Sequence, residues 1–316
     1  MAIRMLSRSA GVAAAAAGLF LTAASLAAAP SAPAAPCQST VTGDLRLHTL
    51  DSRVFGNSRT IRVLVPQDYD APANAARHYP VLYLLDGQNL FDACLSDVSH
   101  REWGVDETVY RLVREHKVPP LIIVGIDHAG ALRAHEFLPY ADNVGNPGMP
   151  EPAGRRFPAF VVDEVMPLVN GRYRTLTGHE NTGIGGSSYG GIATLYALLA
   201  KPTVFGYGLI ESPTLWIGMG QLVRETGPLA AAPLKVYMGF GGREIGDPRA
   251  QAVMDRMLKT VVENFHAAGY DDHTFRYVLD PEAAHNEDAW AKRLPDALTF
   301  LFGTWHEPHP PAGPAH

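Results

Sequence analysis

The sequence predicts an α/β fold: a mainly parallel central sheet with antiparallel N-terminal strands and helices on both faces. Three observations predict it. Short, continuously apolar runs alternate with runs of helical period along the chain, as expected for strands covered on both faces and joined by helical crossovers. The first two strand-like runs instead alternate polar and apolar residues, as at an antiparallel sheet edge. Finally, Gly186-Ser187-Ser188-Tyr189-Gly190 lies between a short buried-strand candidate and an apolar run at 191–200 rich in Ala and Leu. That is a Gly-x-Ser-x-Gly turn set between a strand and a helix.

The chain opens with Arg4 and Arg8 ahead of an Ala/Leu/Phe-rich run at 11–29, followed by small residues and prolines. This layout reads as a signal peptide over residues 1–34, with a cut after Ala32-Pro33-Ala34. A retained membrane anchor is the competing reading, but the run is weakly hydrophobic for a span. Cleavage leaves a secreted or periplasmic protein with no stable membrane span. In that setting Cys37 and Cys94 read as one possible disulfide, against two buried thiols.

Residues 37–304 read as one catalytic domain, and 305–316 as a disordered Pro-rich tail. Segments 44–50 and 60–65 place Leu45, Leu47, Ile61, Val63 and Val65 on alternating positions, with a turn signal at Gly56-Asn57-Ser58. Runs 80–85 and 121–126 are buried strands that end in Asp86-Gly87-Gln88-Asn89 and Asp127-His128-Ala129-Gly130. Segment 103–115 reads as a helix with Val105, Val109, Leu112 and Val113 on one face. Phe157, Phe160, Val161, Val165 and Leu168 mark another, interrupted by Pro167. Segment 131–154 has no period. Strands are expected at 205–210, 234–239 and 273–279. Val253, Met254, Met257, Leu258, Val261 and Phe265 line a helix stopped by Gly269, and Trp290, Leu294, Leu298 and Leu301 line the last one.

Composition narrows the function. The 316 residues are 47% hydrophobic, enough for a large core, and carry a net charge of −6 with no long basic run. Nucleic acid is therefore excluded as a partner class. There is no His-Glu-x-x-His, no dinucleotide fingerprint and no Walker loop, and His306 with His309 lies in the tail. No metal and no cofactor are expected.

In sheets of this type ligands sit beyond the carboxyl ends of the strands. Those ends carry Asp86–Asn89, 127–130, Ser188, 211–213, 241–247 and 280–285. A Ser hydroxyl is a poor nucleophile at neutral pH and needs a base, which in turn needs an orienting acid. With a Gly-x-Ser-x-Gly elbow the chain order is Ser, acid, His. Ser188 is the nucleophile candidate and His285, after the last strand, the base. Glu244 is the first choice of acid, with Asp247 and, less well, Asp280 also placed for it. The tetrahedral oxyanion needs two aimed N–H groups. One is expected from Tyr189, the other from Gln88 or its neighbours Gly87 and Asn89. Trp216, Phe91, Tyr140 and Phe240 are candidates for an aromatic pocket wall.

Several separated segments carry a resemblance: YPVLYLLDGQNLFD, WGVDETV, IIVGID followed by Arg133 and Glu136, RYRTL, GGSSYGG and HNEDAWAKRL. In this order they resemble the enterochelin esterase-like branch of the α/β-hydrolases over roughly residues 59–302. The resemblance implies the α/β-hydrolase fold and a cofactor-free Ser–acid–His hydrolase, with Ser188, Glu244 in GGRE and His285 matching the family's positions. Where relatives often carry Met or Leu after the Ser, this chain has Tyr189. The family spans siderophore, feruloyl and acetyl esters, and its wider relatives include mycolyltransferases. The expected partner is thus a small-molecule or carbohydrate ester. An acyltransferase with the same triad, or a non-catalytic binding protein on the same scaffold, is the alternative. Arg133 and Glu136 read as a structural ion pair, with a substrate clamp as the alternative.

Overall fold

The structure, a computed structural model, describes residues 37–96, 100–142, 151–227 and 233–306. The signal peptide read at 1–34 and the tail from 307 lie outside the described residues. The chain divides into two units, Met1–Cys37 and Gln38–His316, and the sheet with all its helices belongs to the second. Cys37 and Cys94 are both disulfide-bonded, which resolves the choice between a bridge and two thiols. Trp305, assigned from sequence to the tail, donates its indole N–H to Asn181 Oδ1 at 3.2 Å.

The alternating runs at the start become β1 (Leu45–Ser52) and β2 (Asn57–Leu64), paired as a hairpin. Its turn lies at residues 53–56, with Gly56 at φ 69°. The expected turn residues Asn57 and Ser58 already pair with Ser52 and Asp51, so the turn sits earlier than the Gly56-Asn57-Ser58 signal suggested.

Next along the chain come β3 (Val81–Leu85), α1 (Val105–Arg114), β4 (Ile122–Ile126) and α2 (Arg133–Phe137). They are followed by α3 (Phe157–Phe160) and α4 (Met166–Asn170). Between these two, Val161–Val165 winds as a π-helical segment, because Pro167 has no N–H with which to continue an α-helical ladder. Then come β5 (Thr182–Ser187), α5 (Tyr189–Ala200), β6 (Tyr207–Glu211), α6 (Gln221–Glu225), β7 (Lys235–Gly241), α7 (Pro248–Ala267), β8 (Phe275–Asp280) and α8 (Glu287–Phe302). The strand order is β1-β2-β4-β3-β5-β6-β7-β8. β1, β2 and β4 pair antiparallel, and every pairing from β4 to β8 is parallel.

The period of two along a strand divides the core. In β3, Val81, Tyr83 and Leu85 enter a cluster with Phe160, Ile192 and Leu258, whereas Leu82 and Leu84 enter one with Val109, Leu294 and Leu298. One face of the sheet is therefore covered by α3, α5 and α7, the other by α1 and α8. Both faces of β3 are apolar for this reason, and the run shows no alternation. Each Leu or Phe buried this way stabilises the fold by about 1.5–3 kcal/mol. In α7, Met254, Leu258, Val261 and Phe265 point inward while Val253 is exposed; it lies off the stripe that the sequence assigned to it. Among the described residues no helix is long and apolar enough to cross a membrane.

One buried acid couples this fold to pH. Asp106, in the first turn of α1, is fully buried and accepts the Thr42 N–H at 2.6 Å. Burial, and then the neighbouring Glu107, push its carboxyl up to about 8. A carboxyl raised by folding stabilises the fold fully below its unfolded value, and that contribution is lost as the pH rises through the folded value. Thermal melts should therefore show a decline in stability between pH values of about 4 and 8. Asp106→Asn keeps an acceptor for Thr42 and should flatten that decline; an unchanged slope in the variant would contradict the assignment.

Candidate active site

Ser188 joins β5 to α5 with φ 58° and ψ −120°. This is left-handed backbone that a residue bearing a Cβ adopts at a cost of about 1–3 kcal/mol. Hydrogen bonds hold it on both sides. The Ser188 N–H donates to Glu211 O at 3.0 Å, and Ser188 O accepts from the Ile192 and Thr214 N–H groups at 3.2 and 3.4 Å. The glycines around it are there for space. A Cβ on Gly186 would lie 3.0 Å from the Gly190 backbone, and one on Gly191 would lie 2.7 Å from Glu211 O and 3.0 Å from Pro213 Cα. The strand therefore passes directly into the helix with the Ser side chain at the bend.

The loops after β7 and β8 supply the next two groups. His285 Nδ1 lies 2.9 Å from Glu244 Oε2. A carboxylate can only accept, so Nδ1 carries the proton and Nε2 is the basic nitrogen of the neutral ring. The Glu244 side chain is almost wholly buried while that of His285 is about one-third exposed. The two loops are tied together: the Gly242 and Arg243 N–H groups donate to Asp280 O at 2.8 Å and Ala283 O at 3.0 Å. The other two carboxylates considered from sequence are engaged elsewhere. Asp247 caps α7 by accepting the Arg249 N–H at 3.1 Å. Asp280 pairs with Lys292 at 2.7 Å, which holds its carboxyl below the usual range.

Ser188 and His285 line one cleft of about 700 Å³. Its floor holds Asp86 and Arg133, joined by two hydrogen bonds of 2.6 and 2.7 Å. The Arg133 guanidinium also lies 5.3 Å from the Tyr189 ring. Arg133 thus pairs with Asp86 and not with Glu136, as the sequence suggested. Glu136 is bound instead by Arg59 at 2.7 Å and by Asn57 at 2.6 Å, across to β2. Asn89, His128, Asn286 and Trp290 complete much of the wall, and Arg101 pairs with Asp288 at the rim. Glu287 also lines the cleft, and burial pushes its carboxyl up.

The expected oxyanion donors Tyr189 and Gln88 adjoin two residues that line this cleft, Ser188 and Asn89. Tyr189 is the first residue of α5, at the positive end of the helix dipole. Gln88 lies in the 3₁₀ turn Gly87–Asn89 after β3 and accepts the His128 N–H with its side chain at 3.2 Å. The alternative donor Asn89 gives its N–H to Asp86 O at 2.9 Å.

The aromatic wall expected from sequence is not where the cleft is. Phe91 and Phe240 are core residues on opposite faces of the sheet. Tyr140 is buried with its hydroxyl bonded to Glu225, and Trp216 packs against the core ahead of Ile217–Gly220. The aromatic ring at the cleft is Trp290, set edge-on to His285 at 5.3 Å and 85°. Sequence reasoning placed it on the apolar face of α8; its position within HNEDAW, five residues after His285, was the available signal. Among the described residues no group of three or more His, Cys, Asp or Glu is placed to hold a metal ion.

A mixed eight-stranded sheet flanked by helices, with a Ser-bearing elbow after β5, defines an α/β-hydrolase. Over residues 52–301 the chain matches the family described as Putative esterase. It belongs to that family and is a carboxylic ester hydrolase. Among its relatives is YbbA of Bacillus subtilis, an uncharacterized protein 21% identical over 261 residues, which cover 81% of this chain and 96% of YbbA. A siderophore enterobactin esterase of Emericella nidulans is 25% identical over 56% of this chain and 62% of its own length. The fold is also that of an IroE-like serine hydrolase from Shewanella oneidensis, with a TM-score of 0.65 and 21% identity over 82% of this chain and 80% of that one.

The close passage at the elbow predicts a specific sensitivity. Gly191→Ala drives a methyl group into two backbone segments and should cost about 1–3 kcal/mol. Gly246→Ala enters open space and should leave the melting temperature unchanged. Paired thermal melts check both, and equal melting temperatures would show that the elbow tolerates a Cβ.

Proposed function

We propose that the chain is an exported serine esterase that cleaves carboxylic esters through an acyl-enzyme, with Ser188, His285 and Glu244 as its triad. The observation that carries this reading is the 2.9 Å contact of His285 Nδ1 with Glu244 Oε2 beside a cleft that Ser188 and His285 share. In this reading Ser188 Oγ attacks the ester carbonyl carbon as its proton passes to His285 Nε2. Glu244 holds the ring with Nε2 toward the Ser and stabilises the imidazolium that forms. The Tyr189 N–H and the amide at Gln88 bind the oxyanion. Collapse of the tetrahedral intermediate breaks the bond to the alcohol, which leaves with the proton from Nε2. Water, giving a proton to Nε2, then attacks the acyl-enzyme. The second collapse releases the carboxylic acid and returns that proton to Ser188.

Apart from Trp290 the residues lining the cleft are polar or charged, although most of the surface they present to it is carbon. They suit a small ester with hydroxyl or carbonyl groups: a siderophore, hydroxycinnamoyl or acetyl-sugar ester. The signal-like segment at 1–34 and the disulfide-bonded cysteines support export.

Ser188→Ala should lower kcat on a p-nitrophenyl ester by roughly 10⁴- to 10⁶-fold with the fold intact. Glu244→Gln should lower it by roughly 10³- to 10⁴-fold. Asp247→Asn, at the cap of α7, should leave it unchanged. Turnover retained by the Ser188 variant would end this reading. Failure of a fluorophosphonate probe to label the wild-type protein would favour a binding role. Preferential transfer to an added sugar or lipid acceptor would favour an acyltransferase.

A further inference from the structure

Behind Glu244 lies a chain of hydrogen bonds that the triad alone does not account for. A buried carboxylate needs its lone pairs matched, and here each oxygen has a separate set of partners. Oε2 takes the imidazole N–H, while Oε1 accepts the Gly241 N–H at 2.6 Å and the Ser212 hydroxyl at 2.5 Å. Ser212 Oγ in turn accepts the Trp290 indole N–H at 2.8 Å. An indole can only donate. It therefore occupies a lone pair of Ser212 and directs that residue's single hydroxyl proton toward Glu244. The same Trp290 ring stands edge-on to His285. Glu244, Ser212, Trp290 and His285 thus close a ring of contacts.

Ser212 is built for this place. It follows the end of β6 with φ 47°, a strained value for a residue with a Cβ. Its N–H is anchored on Gly239 O at 2.8 Å, and the residue is 1% exposed. That backbone turns the hydroxyl across β7 toward the acid.

We propose that Ser212 and Trp290 are positioning residues for the triad acid: Trp290 sets the direction of the Ser212 hydroxyl, and Ser212 fixes the rotation of the Glu244 carboxylate that orients His285. The inference rests on the triad reading above. It predicts that substitution of Ser212, which does not line the cleft, changes the chemical step and not substrate binding.

Steady-state kinetics on a p-nitrophenyl ester test it. Ser212→Ala should lower kcat about 10- to 100-fold, the range expected when a charge-assisted hydrogen bond is lost, with KM changed less than about twofold. Trp290→Phe keeps a ring against His285 but removes the indole donor; it should lower kcat by a smaller factor. Because both act through one hydroxyl, the double variant should be no slower than Ser212→Ala alone. The acid limb of kcat/KM against pH, which reports on His285, should move in Ser212→Ala. A merely structural role would lower the melting temperature and leave that limb in place. An unchanged kcat in Ser212→Ala, a fixed acid limb, or fully additive losses in the double variant would overturn the proposal. Ser188→Ala in the same assay separates the two failures. If it is inactive while Ser212→Ala is normal, the positioning role alone falls; if it stays active, the triad reading falls with it.

Discussion

The backbone of Ser188 is held where a side-chain-bearing residue pays to be, and much of the surrounding structure serves to keep it there. Its N–H is drawn to the Glu211 carbonyl at the end of β6, and its own carbonyl is shared between α5 and Thr214. Glycines 186 and 191 let the strand, the helix and the 211–213 segment approach within contact distances that exclude a Cβ. Strain of this size persists only when neighbours over-determine it. Here the neighbours are parallel strands with apolar faces on both sides, so moving the bend would break pairing and packing together. The hydroxyl is thereby lifted out of the sheet to the mouth of the cleft.

Paired charges lie beneath and beside that bend. Asp86 and Arg133 meet at the cleft floor, and Glu211 receives the Arg293 guanidinium through two bonds of 2.9 and 2.6 Å inside the core. A Cβ on Gly239 would sit 2.4 Å from the Glu211 carboxylate, so the glycine gives this pair its room. Burial pushes Glu211 up to about 7 even against the guanidinium. Such pairs contribute little net stability, because desolvation offsets their attraction, but separating them leaves a buried charge without a counterpart. Their effect here is geometric. One joins the loop after β3 to α2, the other joins β6 to α8, and all of these but β6 supply residues to the cleft.

The family membership and the geometry meet at one point. The proposed acid and base come from different loops and must be held in register. Backbone bonds from Gly242 and Arg243 to Asp280 and Ala283 tie those two loops together. Asp106 on α1, which accepts the Thr42 N–H, does not line the cleft.

The sequence alone determined the order and type of most elements, because apolar period and turn residues are local properties, but it missed the short helices α2 and α6. The long apolar runs became β3 and β4, the alternating ones β1 and β2, and Gly-x-Ser-x-Gly became the bend between β5 and α5. It also narrowed the candidates for a catalytic acid and base to a few residues at strand ends. It did not determine where the hairpin turn falls, since Asn57 and Ser58 suit a strand end as well as a turn. It did not reveal that Phe91 and Phe240 belong to the core, because an aromatic side chain near a strand end can face either way. Pairing choices also escaped it: Arg133 could reach Glu136 along its own helix, yet the fold brings Asp86 to it and gives Glu136 to Arg59. The ring joining Ser212, Trp290, His285 and Glu244 spans 78 positions between its first two members. Contacts of that range exist only once the parallel strands are stacked, because it is the stacking that sets their loops side by side.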